Sequence, residues 1–364
     1  LNERKFMDSQ KIIRGQRDSN LELYRIIVMI MIVAHHFVVN SGVMERMYEA
    51  PLSANSIFLF IFGAWGKTGI NCFVLITGYF MCKSNITVKK YIKLVAELFF
   101  YKLVIAIIFA IAGLESMKDI IDAVLIVRVI DKNFTGCFLV FYLLIPFLNI
   151  MLNNMNKSQH IKLIAVLTFL YVFCGTVPKF NVTFNYVSWF VFIYLVVAYL
   201  RFYAKKQYKW GLLTAFFILL AVMSIFVCLF IGERFNKQAA YMFVSDSNTF
   251  LALAISICSF MYFKNLKIGY SKLINTIGGS TFGVLLIHAN SDAMREWLWK
   301  RFLNVSNAFD FAFVKLILFS VVSVAGVFIS CIVIDVLRKE LFEKSFMRWI
   351  EKTRFYIKLM EKFS

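Results

Sequence analysis

The sequence predicts an all-α polytopic membrane protein of about ten transmembrane helices with both termini cytoplasmic. Three observations carry this reading. Of the 364 residues, 60% are hydrophobic and 17% charged, against roughly 45–50% and 25% in an ordinary soluble domain, so the chain has more apolar surface than one aqueous core buries. Forty-one phenylalanines stand against three prolines, which leaves long helices unbroken. The apolar residues also fall into runs of span length, with the basic residues gathered mainly on one side of them.

In chain order the runs are 24–40, 67–82, 94–112, 137–152, 163–178, 188–203, 211–231, 249–263, 277–290 and 311–334. With the N-terminus inside, 26 of the 40 Lys and Arg residues lie in cytoplasmic segments and 11 in external loops, while Arg25, Lys102 and Lys315 fall within spans. This is the positive-inside bias. It accounts for the formal charge of +19 by facing basic segments toward anionic lipid headgroups, so the bilayer is the expected partner and nucleic acid is not. The second run decides the parity. "SIFLFIFGAWG" (56–66) is apolar, but Gly63, Gly66 and Gly69 interrupt it before "INCFVLITGYFM". Residues 52–66 are therefore read as an interfacial or re-entrant piece on the outer side, because a separate full span would place the lysine-rich 83–93 loop outside.

One membrane domain, 21–335, fills most of the chain. Residues 1–20 form a basic cytoplasmic tail with little apolar content, and the first span is expected to stay as an anchor, with no small-residue cleavage site after it. Residues 336–364 alternate basic with aromatic or aliphatic residues at near-helical spacing, the pattern of an amphipathic helix on the cytoplasmic leaflet. "SDAMREWLWKRFLN" (291–304) carries Trp297, Trp299 and charges suited to the outer headgroup layer. The seven cysteines are scattered without metal-ligand or C-x-x-C spacing; they are expected to be small buried hydrophobes, and no metal site is predicted.

The first span, "NLELYRIIVMIMIVAHHFVVNSG" (20–42), holds two of the four histidines. At 100° per residue, Arg25 and His36 lie about 20° apart on one helix face, Glu22 about 40° from that line and His35 roughly 80° away. Glu22, Arg25 and His36 thus form one polar stripe, which Asn40 extends outward. Ionisable groups inside a span are costly and face a cavity or a partner. A neutral imidazole there can take a proton near pH 7, and an arginine can grip phosphate or carboxylate. A base at the outer end and an anion clamp at the inner end suggest a reaction that uses a phosphorylated donor from the cytoplasm.

"NLELYRIIVMIMIVAHHF" also resembles the opening of the integral-membrane acyltransferase 3 family, whose first helix carries Arg, ten residues, then His. "GKTGINCFVLITGYFM" (66–81), "FLVFYLLIPFLN" (138–149) and "STFGVLLIHAN" (280–290) resemble later stretches of the same family, in the same order. The resemblance implies a ten-helix O-acyltransferase, most commonly an O-acetyltransferase, that moves an acyl group from cytoplasmic acetyl-CoA or another acyl-CoA to a hydroxyl of an extracytoplasmic sugar of a capsule or exopolysaccharide. It implies a multi-pass protein of the bacterial cytoplasmic membrane, with acyl-CoA as co-substrate and no bound cofactor. Carried over, His36 is the general base or transient acyl carrier, Arg25 its companion for donor or positioning, and Glu22 shares their stripe. His35, Asn40 and His288 belong to the cavity or acceptor side, His35 as a neighbour that packs or tunes His36.

Where the family often has an Arg-x-x-Arg pair entering the third span, this chain reads "KKYIKLVAE", which assigns donor binding to Lys90 and Lys93. Where the family often has a tryptophan entering the fourth span, it has Gly136, Cys137 and Phe138. Glu97, at i+4 from Lys93, is expected to pair with it. A rival reading of the polar stripe is the permeation lining of a transporter or polymerase component for an envelope glycan or lipid-linked sugar.

Overall fold

A computed structural model describes residues 18–84, 86–116, 121, 134–177, 185–235, 238–354 and 356–357. Most of the basic N-terminal tail and the last residues of the C-terminal tail lie outside the described residues. The structure is 81% helical and contains no strand among the described residues. Its helices are α1 (Ser19–Val39), α2 (Val43–Glu49), α3 (Ala54–Gly63), α4 (Gly66–Met81), α5 (Val88–Ile111), α6 (Phe134–Asn154), α7 (Lys157–Leu167), α8 (Tyr186–Tyr203), α9 (Trp210–Phe235), α10 (Phe250–Asn265), α11 (Lys272–His288), α12 (Asp292–Arg295), α13 (Val305–Ala308) and α14 (Phe313–Arg338).

Each expected span overlaps one of these helices, the fifth through α7 and its unbroken continuation over Thr168–Phe173 and Cys174–Thr176. Eight helical stretches are long and apolar enough to cross a membrane. The other two, α10 and α11, have 16 and 17 residues. Both pack on α1 and sit among neighbours rather than at the periphery. A helix sheltered by protein need not match the hydrocarbon thickness along its whole length, which is why the two shortest members are tolerated at the centre.

α1 is the hub, packed against α3, α4, α10, α11 and α14. Polar contacts seat its first turn. Ser19 Oγ donates to Asn275 Oδ1 at 3.0 Å and accepts from the Ser271 amide at 2.9 Å, tying the starts of α1 and α11 together. Asn20 Nδ2 donates to the carbonyls of Lys264 (3.0 Å) and Leu266 (3.2 Å), oxygens that the end of α10 leaves without helical partners. One turn on, the Tyr24 hydroxyl meets Ser259 Oγ at 2.6 Å. Gly278 of α11 lies flush against Glu22, where a Cβ would come within 2.8 Å of the Glu22 Cβ. The glycine lets the two helices close on a buried carboxylate.

Residues 52–66, read as an interfacial or re-entrant piece, pack against the bundle. α3 runs into α4 through a turn at Ala64 and Trp65, and Ser56, Leu59 and Phe60 are fully buried. Trp299, expected in a headgroup layer, is buried as well, edge-on to Phe37 at 5.9 Å between ring centres. Six of the seven cysteines are buried and all are free thiols.

On the side where α1 begins, a buried ion cluster joins α5, α11 and α14. Asp335 accepts from the Tyr101 hydroxyl (2.9 Å) and Arg338 Nε (3.0 Å), and pairs with Lys339 at 2.7 Å. Arg338 also reaches Glu97 at 3.1 Å and Glu343 at 2.9 Å. Lys339 donates to Gly279 O and Ser280 Oγ of α11. Glu97 therefore pairs with Arg338 and not with Lys93, which reaches Glu343 at 2.6 Å. A guanidinium out of water needs carboxylates around it more than an exposed lysine does. α14 continues without a break through Lys339–Glu343 and Lys344–Ile350, and Lys89 with Glu351 (2.5 Å) pins the far end of that extension to the start of α5.

Replacing Arg338 with Met takes from buried Glu97 its cation partner and removes one partner each from Asp335 and Glu343, and should destabilise the fold by about 3–5 kcal/mol, read as a lowered thermal midpoint of the purified protein in detergent. Lys344→Met, which breaks the exposed pair with Glu340, should leave the midpoint unchanged.

Candidate active site

The ends of α1 and α11 opposite the ion cluster bring His36 and His288 together. His36 Nδ1 lies 2.9 Å from His288 Nε2, and His288 Nδ1 lies 2.6 Å from the carbonyl of Val284, one turn back in α11. A carbonyl only accepts, so His288 Nδ1 carries a hydrogen. With both rings neutral, His288 Nε2 is then an acceptor and His36 Nδ1–H donates to it. The order of donors leaves His36 Nε2 as a lone pair.

His36 forms part of the wall of a cavity of about 320 Å³, which His35, Asn40, Lys67, Lys102 and Arg295 also line. His288 is fully buried behind His36 and meets the cavity through that ring. Trp299 closes the back of His288 edge-on, 6.4 Å between ring centres. His35 points its Nδ1 at the Gly63 carbonyl, 2.6 Å away. Its ring lies against Gly66, where any Cβ would collide with it. Of the glycines that interrupt the second apolar run, Gly66 thus makes room for this imidazole, while Gly63 and Gly69 admit Val38 and Ile32 of α1.

Glu22 and Arg25 are elsewhere. They pair with each other at 3.5 Å in the first turns of α1, about 16 Å of helix from His36 for Arg25 and about 21 Å for Glu22, and do not line the cavity. Lys90 and Lys93 stand at the start of α5 on that same side. The stripe read from helical spacing is real as a face of α1, but its two ends occupy different surroundings.

The cavity also recruits residues that sequence reasoning did not assign to the site. Lys67 donates to the Tyr186 hydroxyl at 3.0 Å, and Arg295 pairs with Asp292 at 3.0 Å. Lys67 and Arg295 look like ordinary loop cations in the sequence. Lys102 did carry a signal: a lysine in mid-span is costly and is expected to face a cavity. The chemistry available is therefore a proton acceptor, His36 Nε2, beside three cations able to stabilise negative charge as it develops.

The sequence model of the acyltransferase 3 family, described as an acyltransferase domain, matches residues 18–336. The chain belongs to the acyltransferase 3 family. No curated protein and no solved structure matches it. As a member of that family it is a membrane acyltransferase, and the matched region contains every side chain that lines the cavity.

His288 holds the His36 ring through the 2.9 Å contact between His36 Nδ1 and its own Nε2. His288→Ala should lower kcat for acyl transfer by on the order of 10²-fold. His288→Gln, whose amide oxygen can accept from His36 Nδ1–H, should recover part of the loss. Steady-state kinetics on both variants, with thermal midpoints alongside, check this.

Proposed function

We propose that this acyltransferase transfers an acyl group, most simply acetyl, from a cytoplasmic acyl-CoA to a sugar hydroxyl of an extracytoplasmic glycan of the bacterial envelope, such as a capsule or exopolysaccharide. The observation that carries the reading is the His36–His288 contact at the cavity wall, which leaves His36 Nε2 as the free base. His36 Nε2 takes the proton of the acceptor hydroxyl as its oxygen attacks the thioester carbonyl. The tetrahedral oxyanion forms beside the cavity cations. Its collapse breaks the C–S bond, and the departing CoA sulfur receives the proton from His36, leaving an ester on the sugar and free CoA. During this cycle the Nδ1–H bond to His288 holds the ring and disperses the charge of the imidazolium, the part an orienting partner plays in other proton-transfer sites.

The donor side of the reading places acyl-CoA phosphates at the level of Arg25, held by Glu22, with Lys90 nearby on the same side of the bundle. Lys93 is engaged with Glu343, so in this reading it shapes that entrance through the C-terminal extension. The positive-inside count makes this the cytoplasmic side.

In a native strain, His36→Ala should remove alkali-labile acyl esters from the envelope glycan while its amount and chain length stay normal. Disappearance of the glycan itself would favour a transporter or polymerase component. Esters that survive His36→Ala but vanish with His35→Ala would transfer the base to the neighbouring ring.

A further inference from the structure

The cavity beside His36 is electrostatically one-sided. Lys67 arrives from α4, Lys102 from α5 and Arg295 from α12, three separate elements converging on one space. Among the described residues no aspartate or glutamate lines it. Lys67 has a neutral partner, the Tyr186 hydroxyl. The carboxylate paired with Arg295, Asp292, points to the exterior with its side chain 97% exposed. Among the described residues no carboxylate pairs with Lys102. The hydrogen-bonding inventory leans the same way: Asn40 Nδ2 and Arg295 Nε are buried and have no hydrogen-bond partner among the described residues.

Converging cations are costly in a site walled by apolar side chains unless something offsets them, and buried donors without acceptors are rare in folded proteins. A ligand rich in acceptor oxygens and carrying negative charge answers both. We infer that the substrate bound beside His36 carries an acidic group, a carboxylate or phosphate, held by Lys102, Arg295 and Lys67, and that this group belongs to the acceptor sugar. The assignment to the acceptor rests on the function proposed above. The cations cluster where α1 and α11 end and α4 begins, the end of the bundle away from the proposed donor entrance. On this account the preferred acceptor is a uronic-acid or phosphate-bearing glycan, with the reacting hydroxyl brought to His36 Nε2 by the neighbouring acid.

The experiment uses the full chain in nanodiscs of zwitterionic lipid. Binding is measured first, on the His36→Ala protein, by tryptophan fluorescence with a glucuronate-containing oligosaccharide and its glucose counterpart of the same linkage. The acidic ligand should bind about tenfold or more tightly, an advantage that shrinks toward one as salt rises and in Lys102→Met and Arg295→Gln backgrounds. Equal affinities for the two ligands, or an advantage unmoved by salt and by both substitutions, would overturn the inference.

Transfer is measured next with the active protein, acetyl-CoA and the same pair of acceptors. The kcat/KM ratio of acidic over neutral acceptor should again be about tenfold and fall toward one in either variant. If the variants instead abolish transfer from succinyl-CoA to the neutral acceptor and leave the acetyl ratio unchanged, the acid belongs to the acyl group and the assignment to the acceptor is wrong. Selective binding of the acidic ligand with no ester formed on any acceptor would leave the binding inference standing and refute the proposed reaction.

Discussion

The hydrogen bond from His36 to His288 sets what the rest of the bundle must hold. It joins residues 252 positions apart at one end of the α1–α11 interface, and it works only if the two helices keep their rotation and axial position within a fraction of an ångström. Several features do this at the opposite end. Ser19 ties the two helix starts, Gly278 lets them touch at Glu22, and Lys339 bonds α11 from the side. The ion cluster around Arg338 then fixes α14, the remaining wall of α11, to α5. The buried ionic contacts are gathered at one end of the α1–α11 pair and the paired histidines at the other.

This division clarifies the polar residues of the first span. Buried ionic groups are poor sources of net stability but strong specifiers when their partners are in place. Glu22, Glu97, Asp335 and Arg338 are all buried on the side where α1 begins. His35 and His36 occupy the other end, where the groups facing them are neutral rings, carbonyls and cations. A wall carboxylate that no cavity cation offset would favour the protonated form of His36. Among the described residues no carboxylate lines the cavity, which suits the role proposed for His36 as a proton acceptor.

Much of this was legible in the sequence. Eight of the ten expected spans stand as helices long and apolar enough to cross a membrane, and they follow from hydropathy because lipid forces each crossing segment to be long, apolar and helical. His36 stands out because helical spacing aligns it with Arg25, and the family motif points to His288. The site's assembly was not legible. Nothing local indicates that His288 lies behind His36, since the contact is set by tertiary packing. Glu97 shows the same limit: its i+4 neighbour Lys93 is an available partner, yet a distant buried arginine takes it. Lys67 and Arg295 read as loop charges because a one-dimensional pattern does not reveal that the ends of α1, α4 and α11 enclose a cavity. Trp299 has the composition of an interfacial anchor, and only the fold shows that it seals the back of His288.

The central claim is the direction of the hydrogen bonds through the two imidazoles. Nitrogen-15 NMR of the histidine-labelled protein, assigned with single-histidine variants, reports which ring nitrogen carries the proton. The account predicts that in the ligand-free protein both His288 and His36 are protonated at Nδ1, with a resolved coupling between His36 Nδ1 and His288 Nε2. A His36 ring protonated at Nε2, with Nδ1 as the acceptor, would leave no lone pair at the cavity and would contradict it.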